Sequence, residues 1–313
     1  MSAIITQLIG KDGKPTPLAL SPEADELFPN ADLHRSAVTL HRAGATNIFK
    51  TKDGRYYHVH GSMNPEPTLS ALGLPMEGEE GESYDDVAEK LQKVVGQIDS
   101  ASLDELMNEQ YRQAGTIAWT SDEYFASEHG KQSGKVGLYE IIKEDSEAAP
   151  ASWWPEDSSL PSSPKRPLAG LKVVDLTRVI ASPAITRGLA EMGASVMRVT
   201  SSQITDLYQV HQDLNWGKWN CNLHFKDSKD LEKLKDLIRE ADVVVDGYRP
   251  GVLEKYGVGK QGIFELVKGR GRGIIYVREN CYGWHGPWSH RSGWQQISDA
   301  VSLRHYSLIT SLE

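Results

Sequence analysis

The chain has 313 residues, long enough for two domains of ordinary size. Hydrophobic residues make up 39% and charged residues 25%, a composition that supplies a core and excludes wholesale disorder. A net charge of −9 argues against non-specific nucleic-acid binding, which needs excess Lys and Arg, but leaves room for a local basic pocket holding a small anion. No apolar run approaches the roughly 20 residues of a membrane span. The first residues, Met1 to Thr6, lack the basic patch of a secretory signal. The two cysteines, Cys221 and Cys281, stand far apart and in no metal-like spacing, so an intracellular, cytoplasmic setting is expected.

Residues 1–50 are turn-rich and carry little periodic signal. Phe49 to His60 reads as two short strands around a turn at Asp53-Gly54. Three helices are then expected, each opened by a Ser or Thr with an acid three residues on. Ser83 with Asp86 opens the first, with Val87, Leu91, Val94 and Ile98 on its apolar face. Ser102 with Glu105 opens the second, which Gly115 stops, and Thr120 with Glu123 opens the third, which ends near Gly130. The acidic stretch from Glu77 to Asp86 reads as a solvated loop.

Between Ser146 and Pro167 lie five prolines and several serines, a semi-extended linker by composition, with Trp153-Trp154 as an anchor. The expected layout is an α+β segment over 1–145, a linker over 146–165 and an α/β domain over 166–313. In that last part, strands are expected at 171–176, 195–199, 242–246 and 273–277, with valine runs typical of strands covered on both faces. A helix is expected from an N-cap at Ser182 with Pro183 following, presenting Ile185, Leu189 and Met192 to the sheet, and another over Lys229–Glu240. Strands alternating with such helices predict an α/β fold, a Rossmann-like open and mostly parallel sheet preceded by a smaller α+β segment. Ligands of such sheets bind at the carboxyl ends of the strands.

The common catalytic signatures are absent: no GxSxG, no HExxH, no cysteine pair for zinc, no phosphate loop at Gly257–Gln261 and no GxGxxG after the first strand. What stands out is a series of cations near strand ends. Arg178 precedes a helix start, Lys218 lies in Leu214–Asn220, Arg249 follows Tyr248, and Lys255 comes shortly after. A Tyr248 ring stacking an adenine while cations meet phosphates is one reading. From spacing alone, ordinary loop cations around a core-packed tyrosine is the simpler one.

The run Pro167–Pro183 resembles the opening of class III coenzyme A transferases of the CaiB/BaiF type. Leu189–Val199, Leu214–Lys218, Ala241–Leu253 and Tyr282–Trp288 follow in that family's order. The resemblance covers Arg166 to about Ala300 and implies a Rossmann-like region that holds coenzyme A. It implies that Arg178, Ile180 and Ala181 line the loop after the first strand. Asn215, Gly217 and Lys218 would meet the pyrophosphate or pantetheine, and Tyr248, Arg249 and Lys255 the nucleotide end. Two positions depart from the family: Thr200 replaces an acid, and Gly247 stands where asparagine is usual.

The same resemblance implies CoA transfer between an acyl-CoA and a carboxylic acid, no metal, and a homodimer in the full-length family. The family's nucleophile is an aspartate that carries the acyl group as a mixed anhydride. It is expected some twenty residues beyond Gly293–Ala300, so this chain reads as a partial member, inactive by itself, and no residue is assigned as nucleophile. Phe49–Gly61 with Leu69–Pro75 resembles the family's second domain. The alternatives are a non-catalytic CoA-binding remnant and an α-methylacyl-CoA racemase, whose Gly-His-Asp motif is missing. Three minor readings stand beside these: His34, His41, His58 and His60 as a metal site, Trp284, Trp288 and Trp294 as an acyl pocket, and Cys281 as a reactive thiol. For the last two, simple packing is at least as good an account.

Overall fold

The computed structural model describes residues 7–9, 15–17, 30–36, 38–144, 152–156, 158–159 and 161–301, so the tail beyond Val301 and part of the Pro/Ser-rich stretch lie outside the described residues. Two compact units share the chain: Met1–Leu33 with Lys143–Glu279, and His34–Ile142 with Asn280–Glu313. This differs from a simple succession of segments, because residues 280–301 pack with the first half. Tyr282, Trp288, Trp294 and Ile297 cluster with Ala114 and Trp119. Near the N-terminus, β1 (Gln7–Ile9) and β2 (Pro15–Pro17) form an antiparallel ribbon.

The unit built on His34–Ile142 is α+β. It begins with α1 (Leu40–Gly44), then β3 (Asn47–Lys50) and β4 (Tyr56–His60), which pair antiparallel around the Asp53-Gly54 turn as expected. Next come α2 (Glu66–Ala71), α3 (Tyr84–Val95) and α4 (Ser100–Glu105). The Ser83–Asp86 capping box opens α3, and Val87, Leu91 and Val95 bury its inner face beside Tyr57, Val59 and Leu103. The second expected start is corrected. Helix α4 begins at Ser100, not at a Ser102 cap, because Asp53 of the hairpin turn reaches its first residue: Oδ1 accepts the Ser100 N–H at 3.1 Å and Oδ2 the hydroxyl at 2.7 Å. Nor does Gly115 stop this helix. It lies inside β5 (Ala114–Ile117), which pairs with β4, and an added Cβ there would sit 2.6 Å from the Tyr57 hydroxyl. The Thr120–Glu123 box opens α5 (Ser121–Ala126), and α6 (Glu128–Ser133) follows. A helix over Gln295–Val301 closes the unit.

The second unit is the expected α/β sheet. Strands β6 (Lys172–Leu176), β7 (Ser195–Thr200), β8 (Lys218–Asn222), β9 (Val243–Asp246) and β10 (Ile275–Arg278) are all parallel, in the order β10-β9-β6-β7-β8. Val173, Val174, Val243, Val244 and Val245 are buried, which fits a sheet covered on both faces. The crossovers include α7 (Ala181–Glu191), α8 (Ser228–Glu240) and α9 (Lys260–Leu266). Helix α8 buries Leu234 and Ile238, as its periodicity predicts. Helix α7 departs from expectation in two ways. Its N-cap is Ile180, so Ser182 and Pro183 fall inside the first turn, where a missing proline N–H costs nothing. Its inner face is Ser182, Pro183 and Thr186, with Leu189 and Ala190 packed on the core, while Ile185 and Met192 are exposed. Among the described residues no helix is long and apolar enough to cross a membrane.

Candidate functional site

Parallel strands bring their carboxyl ends to one edge, so the loops after β6, β7, β9 and β10 meet there. Strand order reverses between β6, which leads through α7 to β7 on one side, and β9 on the other. That reversal is where open α/β sheets bind ligands. In the loop after β6, Arg178 donates from Nη1 to the Thr205 carbonyl at 3.0 Å. The Val179 N–H donates to Asp206 Oδ1 at 2.9 Å, Ile180 is half exposed, and Ala181 begins α7.

The loop after β9 lies alongside. Gly247 N–H continues the ladder by donating to the Leu176 carbonyl at 3.1 Å, and Tyr248 N–H donates to Asp246 Oδ1 at 2.9 Å. The other Asp246 oxygen accepts the Tyr276 hydroxyl at 2.6 Å, and burial raises the Asp246 pKa. Burial also pushes the Tyr248 hydroxyl up to about 12, against the neighbouring Arg178 charge. Arg249 presents exposed surface at the rim, yet its guanidinium is crowded enough that desolvation, then the Arg178 charge, lowers its pKa. Leu176 pairs with Asp246, so Arg178 and Arg249 follow adjacent strand ends at one edge of the sheet. Cations following strand ends beside a helix start favour an anion there.

Side-chain space at this edge is limited. A Cβ on Gly247 would lie 2.5 Å from Ser182 Oγ and 3.3 Å from Thr177 Cβ. Ser182, buried at the start of α7, donates to Glu279 Oε2 at 3.0 Å, tying the β6 and β10 loops together.

Not every expected site residue joins this edge. Asn215, Gly217 and Lys218 precede or begin β8, and the register Lys218↔Val196 sets Lys218 near the amino end of β7. The Lys218 side chain is fully buried, and Nζ donates to Asp175 Oδ2 at 3.0 Å, Thr186 Oγ1 at 2.7 Å and the Pro183 carbonyl at 2.9 Å. Its three protons are spent inside the fold, clamping α7 to β6, and burial lowers its pKa against the opposing pull of Asp175. Gly217 takes φ 74° in the turn ahead of β8, and Asn215 ends a short helical turn. Lys255 is exposed on the 3-10 turn Leu253–Tyr256. Asp206, Asp175 and the Ser182–Glu279 pair went unnoticed in the sequence, where their only signal is a polar residue near a strand end.

In the other unit, His60, Trp288 and Trp294 of the histidine and tryptophan readings make ring contacts. Trp288 stacks on buried His129 with centroids 4.7 Å apart, and Trp294 on His60 at 5.3 Å. Cys281 is half-buried, with Sγ 3.0 Å from Ser298 Oγ. Among the described residues no group of three or more His, Cys, Asp or Glu is placed to hold a metal.

Residues 168–305 match the model of CoA-transferase family III. The chain is 61% identical over 301 residues to an "Acetyl-coenzyme A transferase nodX" of Hypoxylon pulicicidum, covering 96% of this chain and 51% of the relative. It is 36% identical over 267 residues to an "Acyl-CoA transferase" of Gibberella moniliformis, covering 84% of this chain and 46% of the relative. A solved CaiB/BaiF family protein from Brucella suis is 27% identical over 42% of this chain and 38% of its own, with a TM-score of 0.38. The chain spans about half the length of the curated relatives named here. Arg178, Tyr248 and Arg249 lie inside the matched residues, as do Asn215, Gly217 and Lys218.

Proposed function

We propose that the carboxyl edge between β6 and β9 receives the nucleotide end of coenzyme A, and that the protein serves CoA transfer between an acyl-CoA and a carboxylic acid. The observation that carries this reading is that the loops bearing Arg178 and Tyr248-Arg249 leave the paired ends of β6 and β9 at the strand reversal. Two guanidiniums supply charge-assisted donors for phosphate oxygens, and the tyrosine supplies an aromatic face for the base. Ile180 and Ala181 are exposed at the start of α7, and Lys255 is an exposed cation on the turn Leu253–Tyr256 that follows β9. Lys218 serves by fixing β8 and α7, since its ammonium already has three partners, while Asn215 and Gly217 form the turn ahead of it. Relatives named as acetyl-CoA and acyl-CoA transferases support the reaction class. Transfer through a carboxylate divides one difficult exchange into two easier ones. No described residue is given that part.

The test is calorimetry of the folded protein with coenzyme A. Arg178→Ala and Arg249→Ala should each weaken binding by about 1–2 kcal/mol, the worth of a charged hydrogen bond. No heat at millimolar coenzyme A, or equal heat from both variants and the parent, would sink the proposal. Acyl transfer is read separately, by incubation with acetyl-CoA and free acids and trapping of any acyl-enzyme with hydroxylamine.

A further inference from the structure

Val179 has φ 70°, in the left-handed region. The other described non-glycine residues with positive φ are Arg35, Ser62 and Arg112, so Val179 is the β-branched one among them. Branching at Cβ makes that conformation costly, and such strain persists only where surrounding bonds impose it. The imposing group is Asp206. Its Oδ1 accepts the Val179 N–H at 2.9 Å and the Leu207 N–H at 2.8 Å. Its Oδ2 accepts Arg198 Nη2 at 2.6 Å and His211 Nε2 at 3.1 Å. Arg198 rises from β7 and is buried, so the carboxylate is anchored to the sheet. Burial pushes the Asp206 carboxyl up, but the His211, Val179 and Arg198 contacts more than offset it and leave its pKa below the ordinary value. Arg178, the neighbour of Val179, is held on the same loop by the Thr205 carbonyl.

We propose that Asp206 is a positioning residue that clamps Val179 in a left-handed turn and thereby sets Arg178 and Ile180 at the coenzyme A edge. This rests on the reading of that edge given above. Without the clamp, Val179 relaxes to negative φ and the peptide planes on both sides rotate, carrying the Arg178 guanidinium away from Arg249. Glycine at 179 takes the left-handed turn unaided, so it makes the clamp dispensable.

The experiment is a double-mutant cycle read by coenzyme A calorimetry, melting temperature and amide hydrogen exchange. Asp206→Ala should weaken coenzyme A binding about tenfold, the equivalent of releasing one strained residue. In the Val179→Gly background the same change should cost no more than about twofold. Asp206→Asn, which keeps an oxygen for the Val179 N–H while discharging the Arg198 pair, should stay within about threefold of the parent. Equal losses with and without Val179→Gly would show that Asp206 acts through Arg198, and would overturn the clamp. If Asp206→Ala does not fold, Val179→Gly alone decides: its melting temperature rises if strain is stored at 179, and a fall refutes the idea. If the parent itself gives no heat with coenzyme A, the site reading fails separately. The clamp is then judged by the residue-179 amide, whose exchange accelerates in Asp206→Ala but not in Asp206→Asn if the clamp exists, and is unchanged in Asp206→Ala if it does not.

Discussion

At Gly247 the missing side chain matters more than backbone freedom. Ser182 Oγ fills the space a Cβ would need, at 2.5 Å, and Ser182 is itself fixed by Glu279. Gly247→Asn, which restores the residue usual in the resembled family, should therefore overpack the edge and cost about 1–3 kcal/mol in urea unfolding. Adding Ser182→Gly should recover most of that loss, and failure to recover would mean the clash lies elsewhere. Lys218 presents the opposite case, a cation expected at the ligand and found in the interior. Removing one partner of a buried pair leaves the other charge stranded, so Lys218→Met should cost about 3–5 kcal/mol, partly regained with Asp175→Asn. A variant of normal stability with weakened coenzyme A binding would instead return Lys218 to the ligand. No spacing rule separates these outcomes, because lysine after a turn looks the same whether its ammonium finds phosphate or Asp175.

At the scale of elements, legibility followed burial. The valine-rich strands β6, β7 and β9 and the amphipathic helices α3 and α8 were readable, since each concentrates its apolar residues with the right period. Strand β8 escaped because Lys218–Asn222 is a half-exposed edge with no β-branched residue, and β5 because Ala-Gly-Thr-Ile is short and contains glycine. The cap of α4 escaped because its donor and acceptor are 47 residues apart. Bonds from Thr51 first, and also from Ser100, hold the Asp53 pKa at about 2, below its ordinary 3.8. A depressed carboxyl contributes stability that is fully present above about pH 4 and lost as pH falls toward 2. After discounting for its exposure, Asp53→Ala should remove about 1 kcal/mol at neutral pH and flatten that acid arm, measured by unfolding at stepped pH. His60 acts over a higher window. Burial lowers its pKa from 6.5 to about 4, and its Nδ1 accepts the Ser62 N–H, so the folded ring stays neutral. The unfolded chain takes up the proton first, so stability should decline by up to about 3 kcal/mol as pH falls from 6.5 to 4. His60→Gln should abolish the decline, and an unchanged profile would assign it to another group.

For the molecule as a whole, the arrangement of the two units sets how it can be divided. The parallel sheet and its crossovers come from one continuous stretch, Lys172–Arg278. A fragment of residues 143–279 should therefore unfold cooperatively by itself, as followed by circular dichroism. Residues 34–142 alone would leave Ala114 and Trp119 without Tyr282, Trp288 and Ile297, and should melt early or associate. Appending residues 280–301 to that fragment should restore a cooperative transition, and a stable 34–142 piece would show that those aromatics add little.

That discontinuity also imposes a schedule on synthesis. The α+β unit is translated to Ile142, but the residues that cover one side of its core begin at Asn280. At roughly 5–20 residues per second, on the order of ten seconds pass before they leave the ribosome. During that interval the whole parallel sheet is made and can fold, while the earlier unit waits with an apolar face open to water. The second half of the chain is thus the first to finish, and the nascent first half is the stretch that a holdase chaperone should occupy.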